Sequence, residues 1–170
     1  EMMSVIDQLT LADNESASSF AEIATAMQES SNMAQSVKVD FSHLLSYIST
    51  VSSVTRESAG TVGNSFAAQF ARYQNVKGGK DFDAYGEPLS NVERDLQTYA
   101  GVSLRSDSKT FKSYEIVIDE LSKKWKDLDE VGRAAIAKAM AGTTHAEEFQ
   151  VLMNNMDKVN EKYDKLGTQA

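Results

Sequence analysis

The sequence predicts a mainly α fold, a multi-helix globular bundle of short amphipathic helices with at most one small β-hairpin near residues 102–112. Apolar residues recur at helical spacing along most of the chain. The 170 residues include one proline and no cysteines, whereas loop-rich and disulfide-linked folds usually contain more of both. With 41% hydrophobic and 25% charged residues, the composition is that of a chain that folds around a core.

The first part of the chain, residues 1–74, is predicted to form an N-terminal helical subdomain. Apolar residues within 2–9 suggest a short first helix, and the polar residues 13–16 can turn the chain and cap the second helix. Asp40 and Ser58 are predicted N-caps of the next two helices. The apolar stripes of the second, third and fourth helices are Phe20, Ile23, Ala24, Met27 and Ala34; Phe41, Leu44, Leu45, Ile48 and Val51; and Val62, Phe66, Phe70 and Tyr73.

Gly60 and Gly63 lie inside the fourth predicted helix. A glycine in a helix interior costs up to about 1 kcal/mol relative to alanine. The two glycines therefore indicate either a close contact with a neighbouring helix or a helix that starts later than Ser58.

Residues 75–87 are predicted to form the main loop, a Gly-rich acidic boundary at which the helical pattern stops. Residues 88–170 then form a predicted C-terminal helical subdomain. Its first helix is expected to start at Pro88 and to stop at Gly101. The apolar stripe of this helix is Leu89, Val92, Leu96 and Tyr99.

The rest of the predicted C-terminal subdomain contains the hairpin and three further helices. Turn-like residues 106–109 separate two short extended pieces, which predicts either a small hairpin or two separate extended segments. Asp129 is a predicted N-cap, Gly142 a predicted helix end, and the spacing of Thr144 and Glu147 predicts a capping box for the last helix. The three apolar stripes are Tyr114, Val117, Ile118, Leu121, Trp125 and Leu128; Ala135, Ile136, Ala139 and Met140; and Phe149, Leu152, Met153, Met156, Val159, Tyr163 and Leu166.

Large apolar side chains at the centres of these stripes are predicted to form the structural core. Trp125 and the aromatic stripe from Phe66 to Tyr73 could also form a ligand platform, but aromatic residues at helical spacing are far more often core. The predicted core residues are Phe41, Leu44, Ile48, Val62, Phe66, Phe70, Leu121, Trp125, Phe149 and Leu152.

No catalytic, cofactor-binding or metal-binding site is predicted, and we do not expect an enzyme. His43 and His145 are far apart, so a zinc site would need distant carboxylates to converge on one of them. The loop around Asp81 and Asp83 lacks suitable residues at the later ligand positions of a calcium loop. The chain offers no cysteine nucleophile or Gly-x-Ser-x-Gly elbow, and adjacent carboxylates point to different parts of a helix surface.

The charge balance is acidic. The 17 Lys and Arg residues against 25 Asp and Glu residues give a net charge of −8, which disfavours binding to nucleic acid phosphates. No uncharged apolar run reaches the roughly 18 residues that suggest a membrane span, and the start of the chain does not resemble a signal peptide. The chain begins within a polar and apolar pattern, which suggests an excerpt of a much longer protein.

Three long blocks of sequence carry a family resemblance. They are VSSVTRESAGTVGNSFAAQFARY at residues 51–73, GVSLRSDSKTF at 101–111 and AAIAKAMAGTTHAEEFQVLM at 134–153. In this order they resemble tape-measure proteins of long-tailed phages and prophages. Residues 20–49 are similar as well, so the resemblance covers most of the chain.

The resemblance implies a structural role. Family members lie extended in the lumen of the tail tube, set its length during assembly, and leave before or with the DNA. It therefore implies tail assembly, tail-length determination and genome ejection, and a location in the virion tail tube lumen or tail tip, with host cytoplasm during assembly. The implied partners are tail tube, tail tip and tail assembly chaperone proteins, with possible self-association in three or six copies.

The alternative function, from a different class, is a helical protein–protein interaction module of a secretion system or adaptor. Such a module would bind a partner helix through exposed Met and Phe side chains. Methionines can form adaptable grooves, although they more often fill cores. The residues that would form the groove are Met27, Met33, Met140, Met153 and Met156.

Overall fold

The computed structural model of the chain describes residues 20–169. This part contains seven α-helices and one two-stranded antiparallel sheet, which confirms the predicted mainly α fold. The predicted helix in residues 2–9 and the cap at 13–16 lie outside the described residues. The elements are α1 (Phe20–Ser36), α2 (Phe41–Thr55), α3 (Ala59–Lys77), α4 (Val92–Ala100), β1 (Arg105–Asp107), β2 (Thr110–Phe111), α5 (Tyr114–Lys124), a 3₁₀ turn (Trp125–Asp127), α6 (Glu130–Asn154) and α7 (Met156–Gln169).

Side-chain caps determine where several helices begin. Asp40, Ser58 and Asp129 each accept a hydrogen bond from the backbone N–H three residues later, which confirms the three predicted N-caps. Ser113 caps α5 in the same way, although no sequence pattern singled it out. Each cap satisfies an N–H group of the first turn and contributes about 1 kcal/mol.

Helices α1 and α3 pack closely through small residues. A Cβ atom on Gly63 would lie 2.8 Å from the Cβ atom of Ala26 in α1, which confirms the predicted close contact at this glycine. Gly60 makes no such contact, because the nearest atom to a Cβ there is the Ser58 hydroxyl at 3.9 Å. The helix begins at Ala59, so the alternative of a later start is wrong.

The loop between α3 and α4 starts and ends later than predicted. Helix α3 continues to Lys77, because Val76 still packs against the core. Pro88 is not the first residue of the next helix; it pairs with Phe82 in an isolated antiparallel bridge, and α4 begins at Val92. The loop therefore folds back on itself before the chain returns to helix.

Helix α4 ends as predicted, but one of its residues faces solvent. Gly101 adopts the left-handed conformation, with φ of 66°, and confirms the predicted end. Tyr99 is 42% exposed, so its predicted place on the apolar stripe is wrong. The Cδ1 atom of its ring would lie 3.9 Å from a Cβ atom on Gly132, so the side chain lies beside α6.

The predicted hairpin is formed by β1 and β2, with Arg105 paired to Phe111. Its first strand is exposed, whereas the preceding residues Val102 and Leu104 are buried. The Tyr73 hydroxyl of α3 donates to the carbonyl of Lys112 at 2.7 Å. These contacts attach the small sheet to the helices.

Helix α5 is shorter than its apolar stripe predicts. It ends at Lys124, and Trp125 enters the 3₁₀ turn. The side chain of Arg133 donates to the carbonyl of Trp125 at 3.0 Å, while the indole N–H of Trp125 donates to Asn154 at 2.8 Å. Both bonds hold Trp125 at the corner between α5 and α6.

The backbone of α6 breaks at Gly142, where φ is 75° and ψ is 170°. This confirms the predicted helix end. The helix resumes at Thr143, so Thr144 lies inside it and the predicted capping box with Glu147 is wrong. The first N–H of the resumed helix is capped by Glu87 from the loop.

One hydrophobic core runs through the bundle and includes residues from both predicted subdomains. Phe41, the first residue of α2, is partly buried and packs against this core. No helix in the described part is both long and apolar enough to span a membrane. The other predicted core residues are at most 3% exposed: Leu44, Ile48, Val62, Phe66, Phe70, Leu121, Trp125, Phe149 and Leu152.

Candidate functional site

Polar side chains of α3 and the following loop converge on the break in α6. The Nη1 of Arg72 donates to Oδ2 of Asp83 at 2.6 Å, and these side chains are only 6% and 4% exposed. The Nε and Nη2 of Arg72 donate to the carbonyl oxygens of Ala139 and Lys138 at 3.0 and 3.3 Å. One guanidinium thus joins α3, the loop and the first half of α6.

Glu87 of the same loop caps the second half of α6. Its carboxylate accepts hydrogen bonds from the Thr143 N–H at 3.0 and 3.2 Å and from the Thr143 hydroxyl at 2.7 Å. A Cβ atom on Gly142 would lie 2.9 Å from Oε2 of Glu87. Glycine is therefore needed at 142 both for its positive φ and for the space that the carboxylate occupies. We call Arg72, Asp83, Glu87, Gly142 and Thr143 the loop clamp.

The charges of the loop clamp match the partial charges at the helix break. The carbonyl groups at a helix C-terminus carry partial negative charge, and the N–H groups at an N-terminus carry partial positive charge. The Arg72 cation binds the carbonyls that end the first half of α6, and the Glu87 anion binds the N–H that begins the second half. Side chains therefore satisfy backbone groups that the break removes from the helix.

Both carboxylates of the loop clamp are stabilised in the ionised form. Burial alone would raise the pKa of Asp83, but hydrogen bonds from the Glu87 N–H, the Arg72 guanidinium and the Tyr85 N–H together hold this pKa below its usual value. The hydroxyl and the N–H of Thr143 lower the pKa of Glu87. The loop clamp is thus a charged structural junction.

A second polar cluster lies at the start of α2. The Oδ1 of Asp40 is 2.9 Å from Nδ1 of His43. Glu115 of α5 follows Asp40 by 75 residues, yet its Oε2 accepts from the Asp40 N–H at 3.1 Å and lies 3.1 Å from the same His43 nitrogen. The ring of Tyr163 from α7 stacks on the imidazole, with centroids 3.9 Å apart. We call Asp40, His43 and Glu115 the histidine cluster.

His145 belongs to a chain of polar contacts that leads into the core. Its Nε2 is 3.3 Å from the Tyr85 hydroxyl, and its Nδ1 is 3.5 Å from Oε1 of Glu148. From Glu148 the chain continues inward through three residues separated by 3.3, 3.1 and 3.2 Å: Ser65, Gln69 and Tyr114. Burial raises the pKa of Tyr114, so its hydroxyl remains a donor. This series of contacts gives hydrogen-bond partners to polar side chains that are buried in the core.

Sequence reasoning missed both the loop clamp and the histidine cluster. Arg72 lies next to Tyr73 within a predicted apolar stripe, and its side-chain partners include residues 11 and 66 positions away. Asp83 appeared only as a poor calcium ligand. The one local signal at the second cluster is the spacing of Asp40 and His43 across the first turn of α2, and it does not point to Glu115.

Residues 1–142 match the family model described as phage-related minor tail protein. The matched range contains α1 to α5, the hairpin and the first half of α6. The chain belongs to this family. No solved structure matches this phage tail protein.

Membership of the phage-related minor tail protein family makes the chain a structural component of the virion tail that associates with other tail components. This agrees with the phage tail part of the resemblance in residues 51–73, 101–111 and 134–153. The histidine cluster lies within the matched range, as does the loop clamp except for Thr143.

Proposed function

We propose that this phage tail protein is a structural module of a tape-measure protein, with a role in tail assembly, tail-length determination and genome ejection and with no catalysis in this segment. The family match over residues 1–142 is the observation that carries the proposal. The tape-measure resemblance of the three sequence blocks supports the finer assignment.

The folded state of the module gives the proposal a measurable consequence. An α-helix rises 1.5 Å per residue, so about 150 residues in one continuous helix would span about 225 Å of a tail tube. A compact domain of the same size is about 40 Å across. The segment would therefore contribute very different lengths to the tape in its extended and folded forms.

The packing favours a module that stays folded during assembly. Extension would separate the buried Arg72 and Asp83 side chains and remove Glu87 from the break in α6. In this form we propose that the module orders the tape at one end of the tail or contacts the tail tip. Its net charge of −8 would keep it from adhering to passing DNA.

An in-frame deletion of residues 20–169 from the parent gene tests the proposal. Tail length by electron microscopy and plaque titre are the two measurements. We expect impaired assembly or ejection, with any tails that form shortened by about 40 Å or less. Normal infectivity with tails about 225 Å shorter would indicate a simple extended ruler segment. Unchanged tail length together with full infectivity would contradict any tape-measure role.

A point variant separates the fold from the residue count. Arg72→Met weakens the folded module without changing the number of residues, so we expect reduced titre with unchanged length of assembled tails. Arg94→Met, at an exposed arginine of α4, is the matched control and should leave both measurements unchanged. Equal titres for the two variants would argue against a requirement for the folded module.

The alternative function, a helical interaction module, needs exposed methionines, but the methionines that would form its groove are buried or partly buried. Met27, Met140, Met153 and Met156 are at most 8% exposed and form part of the core. Met33 is partly buried against the same core. These side chains fill space between helices and expose little surface to a partner helix, so their burial argues against the alternative.

The partners that the proposal implies are tail tube, tail tip and tail assembly chaperone proteins, with three or six copies of the tape. Light scattering on the purified chain measures self-association. A mass of three or six copies would support self-association through this module. A monomeric mass would mean that this module does not drive self-association of the tape.

A further inference from the structure

The histidine cluster meets the condition that the sequence set for a zinc site, because a distant carboxylate converges on His43. One ligand atom from each of Asp40, His43 and Glu115 lies within 4.8 Å of the other two. The Nδ1 of His43 is 2.9 Å from the Asp40 carboxylate and 3.1 Å from the Glu115 carboxylate. We propose that these three side chains bind a Zn²⁺ ion.

The spacing of the ligand atoms suits such an ion. Zinc binds imidazole nitrogen and carboxylate oxygen at about 2.0–2.2 Å with tetrahedral geometry, which separates neighbouring ligand atoms by about 3.3–3.5 Å. The two measured separations from the His43 nitrogen are shorter than this by a few tenths of an ångström. Small rotations of the side chains open the site.

Backbone groups already support the two carboxylate ligands. The Asp40 Oδ1 accepts from the His43 N–H at 2.7 Å, and the Glu115 Oε2 accepts from the Asp40 N–H at 3.1 Å. A carboxylate oxygen has more than one lone pair, so each can keep this bond while it binds the ion. The ion would bind the Nδ1 lone pair of the tautomer that carries its proton on Nε2, so the imidazole stays neutral and no proton is lost from the ring.

The site is both held in place and accessible. The Tyr163 ring stacks on the imidazole and fixes its orientation, as supporting groups do in metal sites. The side chains of His43 and Glu115 are 23% exposed, so an ion can enter. His43 and Glu115 line a groove together with Asp119 and Asn160, and water in this groove can supply a fourth ligand.

The ligand set selects the class of ion. One imidazole nitrogen and two carboxylate oxygens suit Zn²⁺, whereas Ca²⁺ and Mg²⁺ favour sites made of oxygen ligands alone. A bound zinc ion would join the start of α2 to the start of α5, two elements that the chain places far apart in sequence. We therefore expect zinc binding to stabilise the fold.

Calorimetric titration of the metal-stripped chain with ZnCl₂, together with thermal unfolding, tests the proposal. We expect one Zn²⁺ per chain and a higher Tm, since a ligand that binds the folded state stabilises it. CaCl₂ and MgCl₂ at the same concentration should give smaller shifts. Asp40→Asn, His43→Gln and Glu115→Gln should each weaken zinc binding by at least about tenfold, the lower bound for loss of even a supporting group at a metal site.

Two variants provide matched controls. Asp129→Asn changes another aspartate N-cap that has no histidine beside it, and His145→Gln changes the other histidine; both should bind zinc as the unchanged chain does. Asparagine caps helices as well as aspartate, so Asp40→Asn should remain folded, which circular dichroism checks. The proposal is overturned by the absence of zinc-dependent heat and Tm shift, by unchanged affinity in Asp40→Asn and Glu115→Gln, or by an equal loss in His145→Gln.

Discussion

Helix α3 is held at its two ends by different kinds of contact. In its first half, Gly63 lies against Ala26 of α1, and the contact depends on the shape of two small residues. In its last half, Arg72 forms a buried ion pair with Asp83 and also binds two carbonyls of α6. The first contact depends on fit, and the second depends on charge compensation.

The comparison predicts that the two ends respond differently to substitution. Overpacking an apolar contact costs about 1–3 kcal/mol, because neighbouring groups can move to reduce the clash. Removing one partner of a buried ion pair costs about 3–5 kcal/mol, because a charge remains buried without compensation. The loop clamp should therefore be the more sensitive end of α3, even though the apolar core is far larger.

Arg72→Met should have the largest effect, lowering the free energy of unfolding by about 3–5 kcal/mol. The substitution leaves Asp83 buried without its cation and removes the donors to Lys138 and Ala139. Denaturant unfolding measures the change. The double variant Arg72→Met with Asp83→Leu should recover part of the loss, since no uncompensated charge remains. A loss as small as that of Arg94→Met on the surface would show that the ion pair contributes little.

Gly142→Ala should lower the free energy of unfolding by about 3 kcal/mol, near the upper end of the cost of an unfavourable backbone conformation. The added methyl group meets both a φ of +75° and the Glu87 carboxylate at 2.9 Å. Gly101→Ala is the comparison variant: its φ of 66° and ψ of 25° lie in the left-handed helical region, and nothing lies within 4 Å of the added atom, so we expect a smaller loss. Equal losses for the two variants would show that neither the backbone conformation at 142 nor the Glu87 carboxylate makes glycine more necessary there than at 101.

Local patterns in the sequence predicted the starts of three of the described helices. Asp40, Ser58 and Asp129 are caps whose partners lie three residues away, so the information is contained in one helical turn. Gly101 and Gly142 were predicted as helix ends because a glycine follows an apolar stripe at each position, and both adopt a positive φ in the structure. Structure set by neighbouring residues was therefore predictable.

Contacts between distant segments were not predictable from one sequence. Glu87 lies 56 residues before Thr143, so nothing near Thr143 shows that its cap comes from the loop, and the local Thr144 pattern gave the wrong cap. The error at Pro88 has a more local cause, because its bridge to the nearby Phe82 depends on how the loop folds back. Both polar clusters needed the tertiary structure to bring their residues together.

Gly63→Ala tests the apolar end of α3 and should lower the free energy of unfolding by about 1–3 kcal/mol. The added methyl group would lie 2.8 Å from the Cβ of Ala26, so the helices must separate slightly. Gly60→Ala is the matched control on the same helix, where the nearest atom is 3.9 Å away. It should raise stability by up to about 1 kcal/mol through higher helix propensity. If Gly63→Ala and Gly60→Ala changed the free energy of unfolding in the same direction, the close packing of Gly63 against Ala26 would not explain the need for glycine.

Glu87→Gln should have the smallest effect and should reveal the charge of the loop clamp through pH. The folded-state pKa of Glu87 is lowered, so the unfolded state binds a proton first as the pH falls. The stabilisation of the fold by ionised Glu87 is therefore fully present above the unfolded pKa of about 4.3 and is lost as the pH falls through the folded-state pKa. We expect the variant to be about 1 kcal/mol less stable at neutral pH, the usual cost of weakening a helix cap.

The difference between the Glu87→Gln variant and the unchanged chain should shrink as the pH falls below the unfolded pKa of about 4.3 and then through the lower folded-state pKa of Glu87. Chemical unfolding at a series of pH values measures it. Glu147→Gln, at an exposed position of the same half-helix, is the control and should show no such convergence. A constant difference in stability across the pH range would mean that Glu87 acts through its shape and hydrogen-bond geometry. The charge of Glu87 would then not explain why the loop clamp differs from the apolar contact at Gly63.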